Sequence, residues 1–399
     1  MTPEGLVQCA RNLVPLLRER QEACEAAGQM LDETNRELIG KGFYRVLQPR
    51  RFGGYEFDMP TFARVMAEIA RGCPSTGWVL ALTAGHAHTL SAFFPEQTQI
   101  EVFGATGEYR APLVGGAGPT VHRVDGGYVV NGSWDYSSGC DVATHFIGNA
   151  VLPAPEPEQP PLKRVMVLLN RADYTILNNW DVIGMRGTGS RRVSVHEVFV
   201  PAHHVIEGTR DEQGARNAPG RQVHANPMYR AGRMGSVLLG EMAAVAVGVA
   251  QGALDVYQED LGGRKSPLPP YAPRTEQPEF QRHFGEAFGM VDLAESALAR
   301  GMQRYMEWSR EDADGGEPFS DARDRRLQLL EQNVTHLAAE AVDVLWRTAG
   351  TSSAKIGGRL LRYFRDMSVL RTHIAAQFEN GYTGYARLHF GLAPAGPAF

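Results

Sequence analysis

The chain is 399 residues long, 43% of its residues are hydrophobic, and its formal net charge is −5 at pH 7. At the usual size of about 100–200 residues per domain, a chain of this length predicts two or three domains with sizeable cores. Positive and negative residues are interspersed without a block of one sign, so there is no electrostatic footprint for nucleic acid or an anionic membrane. The composition excludes a largely disordered chain and favours a small molecule or another protein as partner.

The cysteines and the N-terminus indicate a reducing compartment. The four cysteines stand far apart, with no C-x-x-C pair and no spacing suited to zinc, which predicts reduced, packed thiols and no metal centre. The first residues lack the charged start and apolar run of a signal peptide. The uncharged residues 72–95 contain Gly, Ser, Thr, His and Pro, which suit a membrane span poorly. We therefore expect a soluble, cytoplasmic protein.

Residues 1–112 show helical periodicity and are expected to form an N-terminal helical domain. The run "LVQCARNLVPLLRERQEACEAAGQML" repeats apolar residues at three- and four-residue spacing. A turn signal, "PRRFGGYEFDMP", comes before a second helical run, "MPTFARVMAEIARGCP".

Residues 113–218 change to short β-branched and aromatic runs such as "TVHRVDGGYVVNGSWDYSSG" and "RRVSVHEVFVP". The segment Asp125 to Gly127 between two alternating runs predicts a hairpin, and the whole region predicts a small antiparallel β-domain. Residues 219–399 return to helical patterns and predict a C-terminal bundle. There, "MGSVLLGEMAAVAVGVAQGALDVYQ" is so rich in Ala and Gly that its neighbours are expected to approach closely. The fold class is α+β.

Three segments carry a resemblance to a known superfamily. The β-domain contains "GSWDYSSGCDVATHFIGNAV" and "WDVIGMRGTGSRRVSVHEVFVP", and the C-terminal part contains "LWRTAGTSSAKIGGRLLRYFRD". Together they resemble the acyl-CoA dehydrogenase superfamily over nearly the whole chain. The resemblance implies that superfamily's fold and a flavin site on one wall of the β-domain.

The resemblance assigns several residues to the flavin site. Trp134 is expected to offer an aromatic face for stacking. Arg230 and Arg233, in "ANPMYRAGRMGS", begin the long central helix and are candidates for a flavin phosphate. The expected polar turn residues are Ser137, Ser138, Gly139, Thr188, Gly189 and Ser190.

The segment after the Arg-Asp pair, Arg365 and Asp366, narrows the resemblance to one branch of the superfamily. Many acyl-CoA dehydrogenases place a catalytic Glu there in a segment resembling "IYEGT", whereas this chain has "RDMSVLRTHIAAQFENGYTGY", with His373 in that neighbourhood. Together with "CPSTGWVLALTAGHAHTL", this resembles the flavin-dependent monooxygenases of the superfamily, the oxygenase components of two-component hydroxylases. Carried over by position, the catalytic histidines are His86 and His373. His88 ranks lower, because two residues along a helix it points to another face.

The resemblance implies a concrete chemistry. Reduced FMN or FAD adds O2 to give a C4a-hydroperoxide, which hydroxylates a small aromatic or phenolic substrate. A histidine can hydrogen-bond the peroxide or take a phenol proton, and a serine near flavin N5, either Ser137 or Ser138, hinders release of H2O2. Trp78, Phe93 and Phe94 are candidates to surround a substrate ring.

The sequence also bears on the source of the reduced flavin, on the assembly and on alternative functions. No G-x-G-x-x-G opens a βαβ unit, so a separate NAD(P)H-dependent flavin reductase is expected to supply the reduced flavin. The superfamily's usual assembly, a homotetramer, is expected too. Three alternatives stay open: an acyl-CoA dehydrogenase-type FAD oxidoreductase, an N- or S-oxygenase of the same branch, and a non-catalytic relative of the fold.

Overall fold

The N-terminal region is helical, as predicted. The computed structural model describes residues 1–104, 107–116, 118–153, 163–208, 216–267, 269 and 271–392. Its first helices are α1 (Pro3–Ala27), α2 (Asp32–Gly40), α3 (Met59–Gly72), α4 (Pro74–Phe93) and α5 (Glu96–Gly104). The side chain of Asp58 caps α3 by accepting a hydrogen bond from the Thr61 N–H at 3.0 Å. Helix α4 is buried on nearly all sides, because it lies between α3, the β-domain and the C-terminal bundle.

The described residues of the middle region form one eight-stranded sheet. Its strands are β1 (Leu113–Val114), β2 (Thr120–Val124), β3 (Gly127–Ser137), β4 (His145–Leu152), β5 (Lys163–Asn170), β6 (Thr175–Leu177), β7 (Arg191–Pro201) and β8 (Val205–Glu207). The strand order is β6-β7-β3-β2-β4-β5-β8, and β1 pairs with β4. The predicted hairpin is confirmed, since Val124 pairs with Gly127 across the Asp125–Gly126 turn.

The expected antiparallel β-domain is present for most strand pairs, but the pairing of β4 differs from that expectation. Strand β4 lies beyond β2 rather than beside β3, and it runs opposite to β3. Strands β2 and β4 are therefore parallel, as are β1 and β4. The sheet is mixed because the chain skips one position between β3 and β4.

The C-terminal bundle is built around one long helix. Its helices are α6 (Pro227–Arg230), α7 (Met234–Gly262), α8 (Pro278–Ala313), α9 (Asp321–Thr348), α10 (Arg359–Leu370) and α11 (Phe378–His389). Helix α7 packs against α3, α4, α8, α9 and α10. The predicted close approach is present: a Cβ on Gly248 would lie 2.1 Å from the Ala67 carbonyl oxygen. By length and composition α7 could cross a membrane, but 83% of its most apolar window is buried inside the protein.

Candidate active site

Two glycine turns of the β-domain lie side by side against helix α4. The Gly139 N–H, just after β3, donates to the Thr188 carbonyl oxygen at 2.9 Å. Gly139 has a φ of 77°, and a Cβ there would lie 2.8 Å from Val79 Cγ1 on α4. Only glycine combines this backbone conformation with so close a helix. The turns that the sequence placed about fifty residues apart thus form one surface.

A chain of hydroxyl groups joins these turns to Trp78 on α4. The Trp78 indole N–H donates to Ser138 Oγ at 2.9 Å, Ser138 Oγ lies 2.7 Å from Ser190 Oγ, and Ser190 Oγ lies 2.6 Å from Thr188 Oγ1. The Thr188 hydroxyl donates to the Met185 carbonyl oxygen at 2.8 Å. Because the Thr188 proton points to that carbonyl oxygen, Thr188 can only accept from Ser190. Ser190 in turn can only accept from Ser138. Ser138 Oγ therefore accepts from Trp78, donates to Ser190, and keeps one lone pair free.

The two candidate serines have different surroundings. The Ser137 hydroxyl is fully buried and donates to the Trp134 carbonyl oxygen of its own strand at 3.3 Å. Ser138 instead contacts both Trp78 and Ser190. Ser138 is therefore the serine that faces α4, and which of the two serines lies near flavin N5 stays a prediction.

His373 lies beside the same tryptophan. The two ring centroids are 5.7 Å apart, and the rings are inclined at 66°. His373 Nδ1 accepts a hydrogen bond from the Ala375 N–H at 3.2 Å, so in the neutral ring the proton sits on Nε2. The side chain is solvent-accessible, yet the protein around it desolvates the ring and lowers its pKa. An accessible group among many protein atoms is typical of a cleft wall, and here that group is an Nε2–H donor.

The Arg-Asp pair fixes the distance between helix α10 and the second glycine turn. The Asp366 carboxylate accepts from the Met185 N–H at 2.5 Å, while Arg365 pairs with Glu25 of α1. Met185 has a φ of 54°, a strained value for a residue with a side chain, and hydrogen bonds to its N–H and to its C=O hold it there. A Cβ on Gly184 would lie 2.2 Å from the Arg365 carbonyl oxygen. These contacts pack helix α10, which is followed by His373, against the second glycine turn.

Burial makes Asp366 an unusual carboxyl group. It is 6% exposed, and burial raises its pKa to about 7. The hydrogen bond from the Met185 N–H acts in the opposite direction. The Cys73 thiol, Glu25 and Arg365 have smaller effects on the pKa.

His86 lies deeper than His373, in the core between α4 and α7. It is 1% exposed; Nδ1 lies 2.8 Å from the Ala111 carbonyl oxygen, and Nε2 lies 3.5 Å from Glu241 Oε2. Because a carbonyl only accepts, Nδ1 carries a proton, and in the neutral ring Nε2 is a bare acceptor facing the carboxyl group. Burial raises the pKa of Glu241 and so favours the protonated carboxyl, the form that could donate toward Nε2. The catalytic role of His86 stays a prediction, and Glu241 is a partner that the sequence did not reveal.

His88 has a structural environment, in keeping with its lower rank. It is fully buried, 3.0 Å from the Met228 carbonyl oxygen and 3.1 Å from the Tyr305 hydroxyl. Burial lowers its pKa to about 3.

One expected flavin contact, that of Trp134, needs correction, and the phosphate contact expected of Arg233 stays a prediction. Trp134 is 1% exposed, packs on Phe146 with ring centroids 5.0 Å apart, and donates to the Asn149 carbonyl oxygen at 2.7 Å. No face of that ring is open, so the expectation that it stacks on a flavin is wrong, and Trp78 is the tryptophan of the site. Arg233 is paired with Asp321 and lies 3.9 Å from Asp324, so its charge is already neutralised within the bundle.

The remaining candidates are Arg230, Phe93, Phe94 and Gly189. Arg230 is exposed, and its contact with a phosphate stays a prediction. Phe93 and Phe94 are buried in the hydrophobic core, so of the three candidate rings only Trp78 contacts Ser138 and His373 in the described structure. Gly189 has a φ of 53° and completes the second turn.

The groups at this site suit a flavin. Trp78 provides an aromatic wall, Ser138 Oγ a free lone pair, and His373 an Nε2–H donor. A shallow surface depression beside the second turn is lined by Ile183, Arg186 and Arg365, among others, and its lining includes none of these three groups. A donor and an acceptor beside an aromatic ring can hold the polar edge of an isoalloxazine.

Comparison with known proteins identifies the superfamily. Residues 8–100 match the family model for the acyl-CoA dehydrogenase N-terminal domain, and residues 241–378 match that for the C-terminal domain. The chain belongs to the acyl-CoA dehydrogenase superfamily, and its fold is the one expected from the sequence.

Individual relatives place it within that superfamily. It is 34% identical over 387 residues to the flavin-dependent monooxygenase oxygenase subunit HsaA of Rhodococcus jostii, covering 95% of this chain and 97% of the relative. It is 28% identical to the FADH2-dependent resorcinol hydroxylase oxygenase component of a Rhizobium species, covering 98% and 95%. The structure of XiaF from a Streptomyces species with FADH2 and glycerol superposes with a TM-score of 0.90 at 26% identity, covering 100% and 98%. The chain is a flavin-dependent monooxygenase oxygenase component, an oxidoreductase, as the sequence predicted.

Proposed function

We propose that this protein hydroxylates a small phenolic substrate with reduced flavin and O2 at the site formed by Trp78, Ser138 and His373. The observation that carries the proposal is the position of Trp78, which is hydrogen-bonded to Ser138 and packed against His373. When bound, the reduced flavin supplies the electrons that activate oxygen, and this chain supplies binding and hydrogen bonds. The phenolic class is supported by the names of the relatives, resorcinol hydroxylase among them.

His373 acts in this proposal as a hydrogen-bond donor. Nδ1 is occupied by the Ala375 N–H, and Nε2 carries the proton of the neutral ring. Desolvation lowers the pKa of His373 and keeps the ring neutral at pH 7. A neutral donor can hydrogen-bond to a developing negative charge on oxygen without losing a proton beforehand.

Ser138 acts as an acceptor. Its hydroxyl proton is committed to Ser190, and one lone pair accepts from Trp78. A ligand N–H that reaches Ser138 Oγ finds the remaining lone pair, so the serine can retain that proton on the ligand. Retention of such a proton hinders the side reaction that releases H2O2.

The test is a reconstituted assay with a matched pair of histidine variants. A flavin reductase supplies FADH2 or FMNH2, a panel of phenols is offered, and hydroxylated product and H2O2 are both quantified. His373→Ala should lower the rate of product formation by about 100-fold, the usual scale for a positioned hydrogen-bonding or proton-transferring group, with reduced-flavin binding largely intact. His373→Gln, which keeps an N–H donor, should retain more activity.

The control is His122→Ala, because His122 is exposed on β2 and makes no contact with the site described. Product formation unchanged in His373→Ala would remove this residue from the mechanism. Failure of wild-type protein to hydroxylate any phenol, combined with oxidation of an amine or thioether, would favour the N- or S-oxygenase alternative.

The finer properties of the protein are part of the same proposal. FADH2 is the favoured flavin, since two of the relatives described above are named with it. A separate NAD(P)H-dependent flavin reductase is the partner in the cytoplasm. Large apolar side chains exposed on α8 and beyond α11, including Leu293 at 61% and Phe390 at 72%, favour burial between subunits, in a homotetramer. Light scattering on the purified protein measures the assembly directly.

A further inference from the structure

Three side chains of the kind that bind metals converge at a place outside the two glycine turns of the candidate active site. Glu101 lies on α5, and His203 and His204 lie in the turn Ala202–His204 between β7 and β8. Glu101 Oε2 lies 2.9 Å from His203 Nε2 and 3.0 Å from His204 Nε2. The three ligand atoms all lie within 4.8 Å of one another.

The cluster is built by the fold rather than by chance rotamers. The Thr98 hydroxyl, also on α5, donates to the His203 carbonyl oxygen at 2.6 Å and ties the helix to the turn. The two imidazole rings pack edge to face with centroids 4.6 Å apart. The His204 side chain is only 8% exposed, whereas that of Glu101 is 44% exposed, so one side of the cluster is fixed and the other is open to an entering ion.

The distances suit a metal ion. Nitrogen and oxygen ligands at about 2.0–2.1 Å from a zinc ion lie roughly 2.9–3.4 Å apart for ligand–metal–ligand angles between 90° and tetrahedral. The observed nitrogen–oxygen separations of 2.9 and 3.0 Å fall at the lower end of that range.

We propose that Glu101, His203 and His204 form a binding site for a divalent transition-metal ion such as Zn²⁺, with solvent completing the coordination. Each imidazole binds through Nε2, so its ring proton moves to Nδ1, and the carboxylate binds through Oε2. The bound ion clamps α5 to the β-domain and is structural. Since the three ligands come together only in the folded chain, binding raises the thermal midpoint of unfolding.

The test uses metal-free, chelator-treated full-length protein and Zn²⁺ itself as the probe. Isothermal titration calorimetry and thermal unfolding are run on wild type and on Glu101→Gln, which is nearly isosteric and partly exposed and so should fold. His203→Ala is the second variant. Each variant should lower the affinity of one Zn²⁺ site seen in wild type by about 10-fold or more. Loss of a metal ligand should cost at least as much affinity as loss of a residue that hydrogen-bonds to a ligand. Each should also remove the Zn²⁺-dependent rise in the thermal midpoint.

The control is His196→Ala, because His196 is exposed on the neighbouring strand β7 and lies outside the cluster. The chain has 12 histidines, so weak background sites are expected, and the difference between these variants identifies the specific one. The proposal is overturned if wild type shows no Zn²⁺ binding below about 100 µM, or if Glu101→Gln and His203→Ala bind Zn²⁺ as wild type does. Neither outcome depends on hydroxylase activity.

Discussion

Replacing Ser138 and Ser137 one at a time tests which of these adjacent serines belongs to the hydrogen-bonded chain of hydroxyl groups. In Ser138→Ala, the Trp78 indole N–H loses its acceptor at 2.9 Å, and Ser190 loses the donor at 2.7 Å. Trp78 is 7% exposed, so water does not readily replace the acceptor. An orphaned buried donor costs about 1–3 kcal/mol. In Ser137→Ala only a hydrogen bond of 3.3 Å to the Trp134 carbonyl is lost, for which we expect a cost of about 0.5–1 kcal/mol.

The two variants are compared in two assays. Urea unfolding gives the free-energy difference, and the reconstituted reaction gives H2O2 released per product formed. Ser138→Ala should be the less stable variant and should release more H2O2, because the acceptor facing the ligand is gone. Equal effects of the two substitutions in both assays would refute the assignment of Ser138 to the site.

Three further predictions concern the supports of the site. Gly139→Ala should cost about 1–3 kcal/mol more than Gly53→Ala, measured by thermal unfolding, because both glycines have positive φ but only Gly139 has a helix within contact. Glu241→Gln should change stability by less than about 1 kcal/mol if the carboxyl is protonated toward His86, whereas a loss of about 3–5 kcal/mol would identify an ion pair. The pKa of Asp366, ordinarily 3.8, is raised to about 7 in the folded protein, so the stability it contributes is present in acid and lost as pH rises from about 4 to 7. Asp366→Asn should remove that slope from the curve of thermal midpoint against pH, and an unchanged slope would contradict the raised pKa.

Much of the fold could be predicted because its signals are local. The periodicity of the helices, the Asp125–Gly126 turn and the small residues of α7 each report a short-range constraint, and all were confirmed. The parallel pairing of β4 could not be predicted in this way. It depends on which strand lies next to β4 in space, and a strand pattern alone does not specify its neighbour.

The site was predictable only in part. The two glycine turns are visible in the sequence, because tight turns demand particular residues. The orientation of Trp134 was not visible, since the register between β3 and β7 shifts between Trp134 and Ser137 and changes which way each side chain points. The contact of Asp366 with Met185 spans 181 positions and leaves no local pattern. Glu241 was hidden for a similar reason, because a single acidic residue in an apolar helix does not reveal its partner.

The direction of the hydrogen bonds along the hydroxyl chain affects whether reduced or oxidised flavin would bind more tightly. The one valence left on Ser138 Oγ is a lone pair, so it attracts a hydrogen-bond donor and repels an acceptor. N5 of a reduced flavin bears a hydrogen, whereas N5 of an oxidised flavin is itself an acceptor. One hydrogen bond of about 1 kcal/mol corresponds to roughly a fivefold difference in affinity. With Ser138 beside N5, as proposed above, the site would bind reduced flavin more tightly than oxidised flavin, so oxidised flavin would leave more readily and a new reduced flavin could bind.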